Sequence, residues 1–386
     1  MTQVVIVSGE PSGDRHAGHL ILELRAMRPE IAVAGMGGEA SRNAGMDCWV
    51  DIKGLSVMGL IEVLKQYGAI RTALNTMKQR LAEHRPSLVI LVDYVEFNLR
   101  LAAYAKSLGI KVLFYISPQV WAWRSGRAAR IKRCVDAMAV LFPFEVDFYE
   151  KARIPVRYVG NPLVDDFEAS GGAGYWFGLR ERLASATGDF CVGLLPGSRD
   201  SEIERHLGLM IQTAQLLRAH GQPLRLVLAL APNLSREQLI RQRCEAEGIT
   251  VCSKASEVFE QAHVILTSSG TATLEAGLHA VPMVVVYKTS PVTYFFLKRL
   301  ILIPHIALVN IVSEKAIVAE FLQDRASPEA LGSAVRQLLE DQALRLQMTR
   351  SLQQIRTKLG APGGSKRVAA MALELIDFGR IKGGNE

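Results

Sequence analysis

The chain has 386 residues, 49% of them hydrophobic and 22% charged, which suits two domains with separate cores and excludes a disordered polypeptide. A formal net charge of +7 favours anionic partners, whether nucleic acid, phosphorylated metabolites or anionic lipid headgroups, without choosing among them. Five cysteines, Cys48, Cys134, Cys191, Cys244 and Cys252, stand without CxxC spacing; this argues against a disulfide framework or a zinc site and for reduced thiols in a cytosolic protein.

The opening Met-Thr-Gln-Val-Val-Ile-Val-Ser-Gly has no basic region ahead of its apolar run and ends in turn residues, so it reads as a β-strand and not as a signal peptide. Similar short apolar runs, each followed by turn residues and helical periodicity, lie at Val4–Ser8, Leu88–Val92, Lys111–Ile116, Ala137–Leu141 and Val156–Val159. They are expected as buried parallel strands of a doubly wound α/β lobe over residues 1–168. Between Asp166 and Leu183 the run Glu-Ala-Ser-Gly-Gly-Ala-Gly reads as a flexible connector and marks the boundary.

The α/β pattern restarts with Cys191–Leu195, Leu224–Ala231, Ile249–Cys252, His263–Thr267 and Met283–Tyr287, giving a second lobe over 169–345. From Ser327 onward the text is helical, with Leu331, Val335, Leu338 and Leu339 on one face, continued by Leu352, Ile355 and Leu359. By their pattern alone these helices could pack on either lobe. The greasiest stretch, Tyr294 to Val312, is interrupted by Lys298, Arg299, Pro304 and His305 and falls short of the roughly 20 apolar residues a membrane span needs. Two tandem doubly wound sheets imply a cleft between lobes, with ligands near the carboxyl ends of the strands.

Chemistry-bearing residues recur at those ends. Ser8-Gly9-Glu10-Pro11-Ser12-Gly13-Asp14 is a Gly-rich turn leading to a helix expected near His16; it is neither GxGxxG nor a P-loop. The glycines could serve geometry alone, yet Glu10 and Asp14 place carboxylates where the backbone is tightest. After Leu88–Val92 come Asp93, Glu96 and Asn98; a carboxylate here could be a general base, or simply a helix N-cap. Ser117-Pro118-Gln119-Val120-Trp121-Ala122-Trp123-Arg124 could stack on a sugar or pack as a rigid loop.

In the second lobe, Leu194-Leu195-Pro196-Gly197-Ser198-Arg199 ends a strand in a tight turn, and Arg199 could pair with a diphosphate or stand as a surface arginine. Thr267-Ser268-Ser269-Gly270-Thr271-Ala272-Thr273-Leu274-Glu275 is again strand, small-residue turn and helix start, suited to an anion. Two such turns without a Walker lysine suggest a diphosphate bound without phosphoryl transfer. The eight histidines form no HExxH or other ligand cluster, and no metal is expected.

The segment Leu55–Leu81 is greasy for a helix: Val57, Met58, Leu60, Ile61, Val63 and Leu64 lie among Lys65, Arg71, Lys78 and Arg80. It could dip into a headgroup layer or accept acyl chains, or it could be core. Phe295–Ile301, with Lys298 and Arg299, has the same character.

Taken in order, the motifs Ser-Gly-Glu-Pro-Ser-Gly-Asp, Leu-Ser-Val-Met-Gly-Leu-Ile-Glu-Val-Leu, Asp-Tyr-Val-Glu-Phe-Asn, Ser-Pro-Gln-Val-Trp-Ala-Trp-Arg, Leu-Pro-Gly-Ser-Arg and Ser-Gly-Thr-Ala-Thr-Leu-Glu resemble the lipid A disaccharide synthases over about residues 3–325. The resemblance implies a GT-B architecture, two Rossmann-like doubly wound lobes facing an interdomain cleft, with residues 346–386 returning to the N-terminal lobe. It implies metal-free, cofactor-free inverting transfer from UDP-2,3-diacylglucosamine to the 6-hydroxyl of 2,3-diacylglucosamine 1-phosphate, giving a β-1,6 disaccharide and UDP. Such an enzyme would be cytoplasmic, held at the anionic inner face of the cytoplasmic membrane, with no nucleic-acid partner; a homodimer is admitted.

By position in the family motifs, Asp93 is the candidate base with Glu10 the alternative, and Asn98 would orient the acceptor. Arg199, Ser198 and the turn Ser269, Gly270, Thr271, Ala272 and Thr273 would hold the diphosphate, Glu275 the ribose, with Asn310, Glu320 and Gln323 in a further donor-side segment. Two departures stand out: Asn161 where the family usually has histidine, and Val309–Lys315, looser than the usual Pro-Asn-Leu-Ile-Ala-Gly-Arg. Competing readings are another GT-B protein acting on UDP-GlcNAc, an epimerase or the transferase of the peptidoglycan lipid precursor, and a two-lobed sugar-binding protein without catalysis.

Overall fold

A computed structural model describes residues 3–53, 60–118, 126–219, 224–231, 234–289 and 305–381, with backbone only for 60–67 and 126–127. The chain forms two compact units, Met1–Pro162 with Ala361–Glu386, and Leu163–Gly360.

The first unit is built on seven parallel strands: β1 (Gln3–Ser8), β2 (Ala32–Gly37), β3 (Asp47–Asp51), β4 (Leu88–Val92), β5 (Lys111–Tyr115), β6 (Ala137–Val140) and β7 (Val156–Tyr158). Their order is β3-β2-β1-β4-β5-β6-β7. Strands β4 and β6 are buried throughout, as β-branched and aliphatic runs must be when helices cover both faces of a parallel sheet. Successive strands are added to one side from β1 to β3 and to the other from β4, so the winding reverses between β1 and β4.

The second unit repeats the plan with β8 (Phe190–Leu195), β9 (Leu224–Ala229), β10 (Thr250–Cys252), β11 (Val264–Ser268), β12 (Met283–Tyr287) and β13 (Ala319–Leu322), in the order β10-β9-β8-β11-β12-β13. All pairs are parallel, and the reversal falls between β8 and β11. All five cysteines are free thiols, four of them buried.

Three strands escape the sequence pattern. In β2, Ala-Val-Ala-Gly-Met-Gly, position 35 requires glycine because it takes φ +149 and any Cβ there would run into the Ile6 carbonyl of β1. Strands β3 and β13, Asp-Cys-Trp-Val-Asp and Ala-Glu-Phe-Leu, are half-exposed edges and carry no apolar run.

The expected flexible connector is instead two helices, Pro162–Ala169 and Gly172–Ser185, broken only at Ser170-Gly171, where Gly171 has φ +115. The segment is pinned by the buried Trp176, whose Nε1 donates to Ser170 Oγ at 2.9 Å, and by the buried Arg180, which donates to the Ala262 carbonyl at 2.8 Å. The unit boundaries fall at 162/163 and 360/361, where the sequence places 168/169 and 345/346. Helix Gln342–Lys358 therefore stays with the second unit and packs on Gly172–Ser185, while helix Gly364–Phe378 packs on helix Pro11–Met27 of the first. There Val368, Ala369, Met371, Ala372 and Leu375 share a core with Ile6, Ile90, Leu113 and Tyr115.

Candidate functional site

In the first unit the reversal point is bordered by the turns after β1 and β4. The helix after β1 starts at Pro11, earlier than the expected His16: Glu10 is its N-cap, in extended conformation, and Pro11 supplies a preset φ at N1. Glu10 is half-buried. Asp14 is spent on structure. Its Oδ1 accepts from Gly38 N at 2.7 Å, Ser41 N at 3.3 Å and Ser41 Oγ at 2.5 Å, and its Oδ2 from Ala40 N at 2.9 Å. That carboxylate binds the end of β2 and the start of helix Glu39–Asn43 to the turn, which leaves Glu10 as this loop's acid at the strand end.

After β4 the chain enters two consecutive left-handed residues, Asp93 at φ 50 and Tyr94 at φ 42. Each costs on the order of 1–2 kcal/mol for a residue with a Cβ, and such strain concentrates at functional sites. Asn98, fully buried on helix Val95–Ser107, holds the turn. Its Nδ2 donates to the Val92 carbonyl at 3.3 Å and the Asp93 carbonyl at 2.7 Å. Asp93 N also donates to Tyr115 O at 3.0 Å. The half-buried Asp93 is thus fixed from both neighbours, and Asn98 acts as a positioning residue through the Asp93 backbone. Burial and the Glu10 carboxylate raise the Tyr94 phenol above its ordinary range, so the two turns share one electrostatic environment.

At the end of β5, Ile116 is also left-handed, at φ 67, a rare conformation for a β-branched side chain. The next residue, Ser117, joins Tyr149 Oη at 2.6 Å. Burial, with the charges of Arg15 and His19, lowers the His16 pKa to about 4, so this ring is neutral at physiological pH. Trp121, Trp123 and Arg124 lie outside the described residues.

In the second unit the reversal point is bordered by the turns after β8 and β11. Gly197 has φ +125, and a Cβ on it would overlap Glu202. The Glu202 carboxylate accepts from Ser198 N at 2.9 Å and from Arg199 Nη1 at 3.4 Å. Arg199 is thereby held at one nitrogen of its fork while its side chain remains about half exposed, at 49%. After β11, Thr273 Oγ1 donates to Gly270 O at 2.8 Å and closes the first turn of helix Thr271–Leu278. Ser269 Oγ donates to Ile306 O at 3.1 Å. The first-turn N–H groups at Thr271 and Ala272 have no intrahelical acceptor, so the positive end of the helix dipole sits beside the reversal point. Glu275 lies half-buried on the next turn.

Asn310 and Glu320 form a buried bracket. Asn310 Nδ2 donates to Val318 O at 2.9 Å and Glu320 Oε1 at 2.8 Å, while its Oδ1 accepts from Ile317 N at 2.9 Å and Val318 N at 3.0 Å. Every hydrogen-bonding position of that amide is used inside the protein. Glu320 also accepts from Ile306 N at 3.0 Å and Ala307 N at 3.2 Å, which fixes the segment that receives Ser269. Gln323 closes a reciprocal pair with Thr289, accepting from its N at 2.9 Å and donating to its O at 3.1 Å. These three residues shape the loops around the β11 turn.

Sequence reasoning passed over His206 and Lys288. His206 is buried, with Nε2 accepting from Lys288 N at 3.0 Å and Nδ1 lying 3.1 Å from Pro196 O. A lone histidine in an amphipathic helix gives no signal by spacing; only the fold brings it against two strand ends.

The profile of the lipid-A-disaccharide synthetase family matches residues 4–374. The lipid-A-disaccharide synthase of Geobacter metallireducens is 42% identical over 380 residues, covering 97% of each chain, and that of Myxococcus xanthus is 40% identical over 382 residues, covering 98% of this chain and 99% of its own. This chain belongs to the lipid-A-disaccharide synthetase family. It is a glycosyltransferase that forms the lipid A disaccharide. Acinetobacter baumannii MurG (TM-score 0.59, 14% identity, 97% of this chain and 100% of its own) shares the fold, as does UDP-GlcNAc 2-epimerase from Neisseria meningitidis bound to UDP-GlcNAc (0.62, 12%, 97% and 100%). The two Rossmann-like lobes are thus those of GT-B glycosyltransferases.

Within this family member, the apolar stretch before Leu81 divides. Leu74, Met77 and Leu81 enter the first unit's core, whereas Val57 and Met58, the side chains of Leu60, Ile61, Val63 and Leu64, and the whole of Phe295–Ile301 lie outside the described residues. Among the described residues no helix is long and apolar enough to cross a membrane, and no group of three or more His, Cys, Asp or Glu side chains is placed to hold a metal ion. Asn161 is buried just before helix Pro162–Ala169.

Proposed function

We propose that the first unit carries the acceptor chemistry and the second unit the donor chemistry of one inverting transfer. The observation that carries this reading is that both motif pairs border a winding reversal: Glu10 and Asp93 after β1 and β4, Arg199 and Ser269–Thr273 after β8 and β11. Open α/β sheets bind ligands outside the carboxyl ends of their strands at that point.

The donor is UDP-2,3-diacylglucosamine and the acceptor 2,3-diacylglucosamine 1-phosphate. Asp93 takes the proton of the acceptor 6-hydroxyl as its oxygen attacks the anomeric carbon, and the glycosidic bond to the diphosphate breaks on the opposite face. Glu10 is the alternative base. The electron pair leaves on UDP, where Arg199, Ser198 and the N-terminus of helix Thr271–Leu278 offset the growing charge. Glu275 meets the ribose, and Asn98, Asn310, Glu320 and Gln323 hold the loops in place. The residues Val57–Leu64 and Phe295–Ile301, with their neighbouring cations, seat the enzyme on an anionic membrane surface.

The test is turnover of purified protein with UDP-2,3-diacylglucosamine and the acylated acceptor. UDP and the β-1,6 disaccharide are expected as products; turnover of UDP-GlcNAc with no release of UDP from the acylated donor would overturn the assignment.

A further inference from the structure

We propose that Lys288 is a further phosphate-binding residue for the nucleotide donor, and that His206 is the positioning residue that ties the Lys288 backbone to the Arg199 turn. The inference rests on the reading of the second unit as the donor lobe.

Strands β8, β11 and β12 are neighbours in the sheet, and their carboxyl ends carry in turn Arg199, the N-terminus of helix Thr271–Leu278, and Lys288. The β11 turn is registered to β12 by Ser269 N donating to Val286 O at 3.1 Å. Beyond Tyr287 the chain is gripped from two sides. Lys288 N donates to His206 Nε2 at 3.0 Å, and both backbone groups of Thr289 are taken by the Gln323 amide.

The His206 ring links this grip to the neighbouring turn. Because Nε2 must accept from an N–H, the proton resides on Nδ1, which donates to the Pro196 carbonyl at 3.1 Å, three residues before Arg199. The ring is 1% exposed, and burial holds its pKa below the ordinary imidazole range, so the single-proton tautomer that serves both carbonyl and amide persists at neutral pH.

Lys288 itself is half-buried, and among the described residues no carboxylate lies within ion-pair distance of it. A backbone fixed on both sides beneath an ammonium that no described carboxylate neutralises suits recognition of an anion. The sheet edge then presents cation, helix dipole and cation in sequence, which suits the spread charge of a diphosphate better than one arginine does.

The experiment is calorimetric titration of the full chain with UDP and with uridine. Lys288→Ala is expected to weaken UDP binding about tenfold or more, as loss of one charge-assisted contact should. Uridine affinity should stay unchanged, and Lys288→Arg should retain most of the UDP affinity. His206→Ala should reproduce the selective loss and His206→Gln, which can still donate and accept, should recover it. Equal losses for UDP and uridine would assign these residues to folding and overturn the inference. Unchanged UDP affinity in Lys288→Ala beside a weakened Arg199→Ala would also overturn it while leaving the donor lobe intact; a wild-type chain that binds no UDP would overturn the donor reading itself.

Discussion

The ring of Tyr94 occupies the space that a Cβ on Gly9 would need. The turn after β1 is therefore closed on the turn after β4 by an aromatic face against bare backbone, and the spacing of Glu10 and Asp93 is set by that contact. Gly9→Ala should force Tyr94 aside at a cost of about 1–3 kcal/mol, lowering kcat on the order of tenfold or more while UDP affinity holds. Adding Tyr94→Gly, which removes the ring and tolerates the left-handed backbone, should restore much of the rate. A double variant as slow as Gly9→Ala would show that the contact does not govern the turns.

Asp93→Ala should lower turnover by at least about 10²-fold with little change in UDP affinity, as removal of a general base does. Rates with Glu10→Gln measured alongside separate the two candidate acids: the variant with the larger loss in kcat at constant UDP affinity identifies the base.

Asp14, one helical turn after Glu10 yet wholly engaged by Gly38, Ala40 and Ser41, should behave differently. Asp14→Ala leaves buried donors unpaired and should destabilise the first unit by about 3 kcal/mol. Chemical denaturation should show the loss, while activity per folded molecule at low temperature stays within about threefold; a large loss in kcat of the folded protein would make Asp14 part of the chemistry.

Two buried histidines give the second unit a pH limit. Burial, followed by the positive charges of Arg345, Arg180 and Arg225, lowers the His263 pKa to about 4, and burial with the charge of Arg180 does the same for His279. Their folded pKa values lie below the unfolded value of 6.5, so the unfolded chain binds more protons between these limits. Their stabilising effect is complete above about pH 6.5 and is lost as pH falls toward 4, on the order of 2–3 kcal/mol each. Trp176, the one tryptophan of Leu163–Gly360, meets the His279 ring edge-on at 4.3 Å and reports this unit. Urea midpoints from its fluorescence should fall through that window, and His279→Phe should flatten part of the slope; midpoints independent of pH would refute the linkage.

The strands buried on both faces, such as β4 and β11, were legible because an unbroken apolar run has no other soluble use. Strands β2, β3 and β13 were not, since glycine contact and edge exposure leave no apolar run to read. The motifs at the strand ends could be located from the sequence, but the division of labour within them could not. Glu10 and Asp14 look alike on paper, and only the folded loop shows that Asp14 is fully occupied. Asn310 was named for its place in a donor-side segment, and the structure shows its amide taken up by four bonds to its own loop and strand. Gly171 and its neighbours suggested looseness, whereas the anchor, Trp176, lay a few residues further on.

The helix Gly364–Phe378 covers β4 and β5 of a sheet whose strands begin at Gln3. The first unit thus draws on both ends of the chain, so residues 1–162, although translated earliest, cannot close their core until the residues beyond 360 have been made. A chain cut after residue 360 would leave Leu113 and Tyr115 without their cover while residues 163–360 keep every element of their own core, making the older half the client for chaperones and the younger one the bystander.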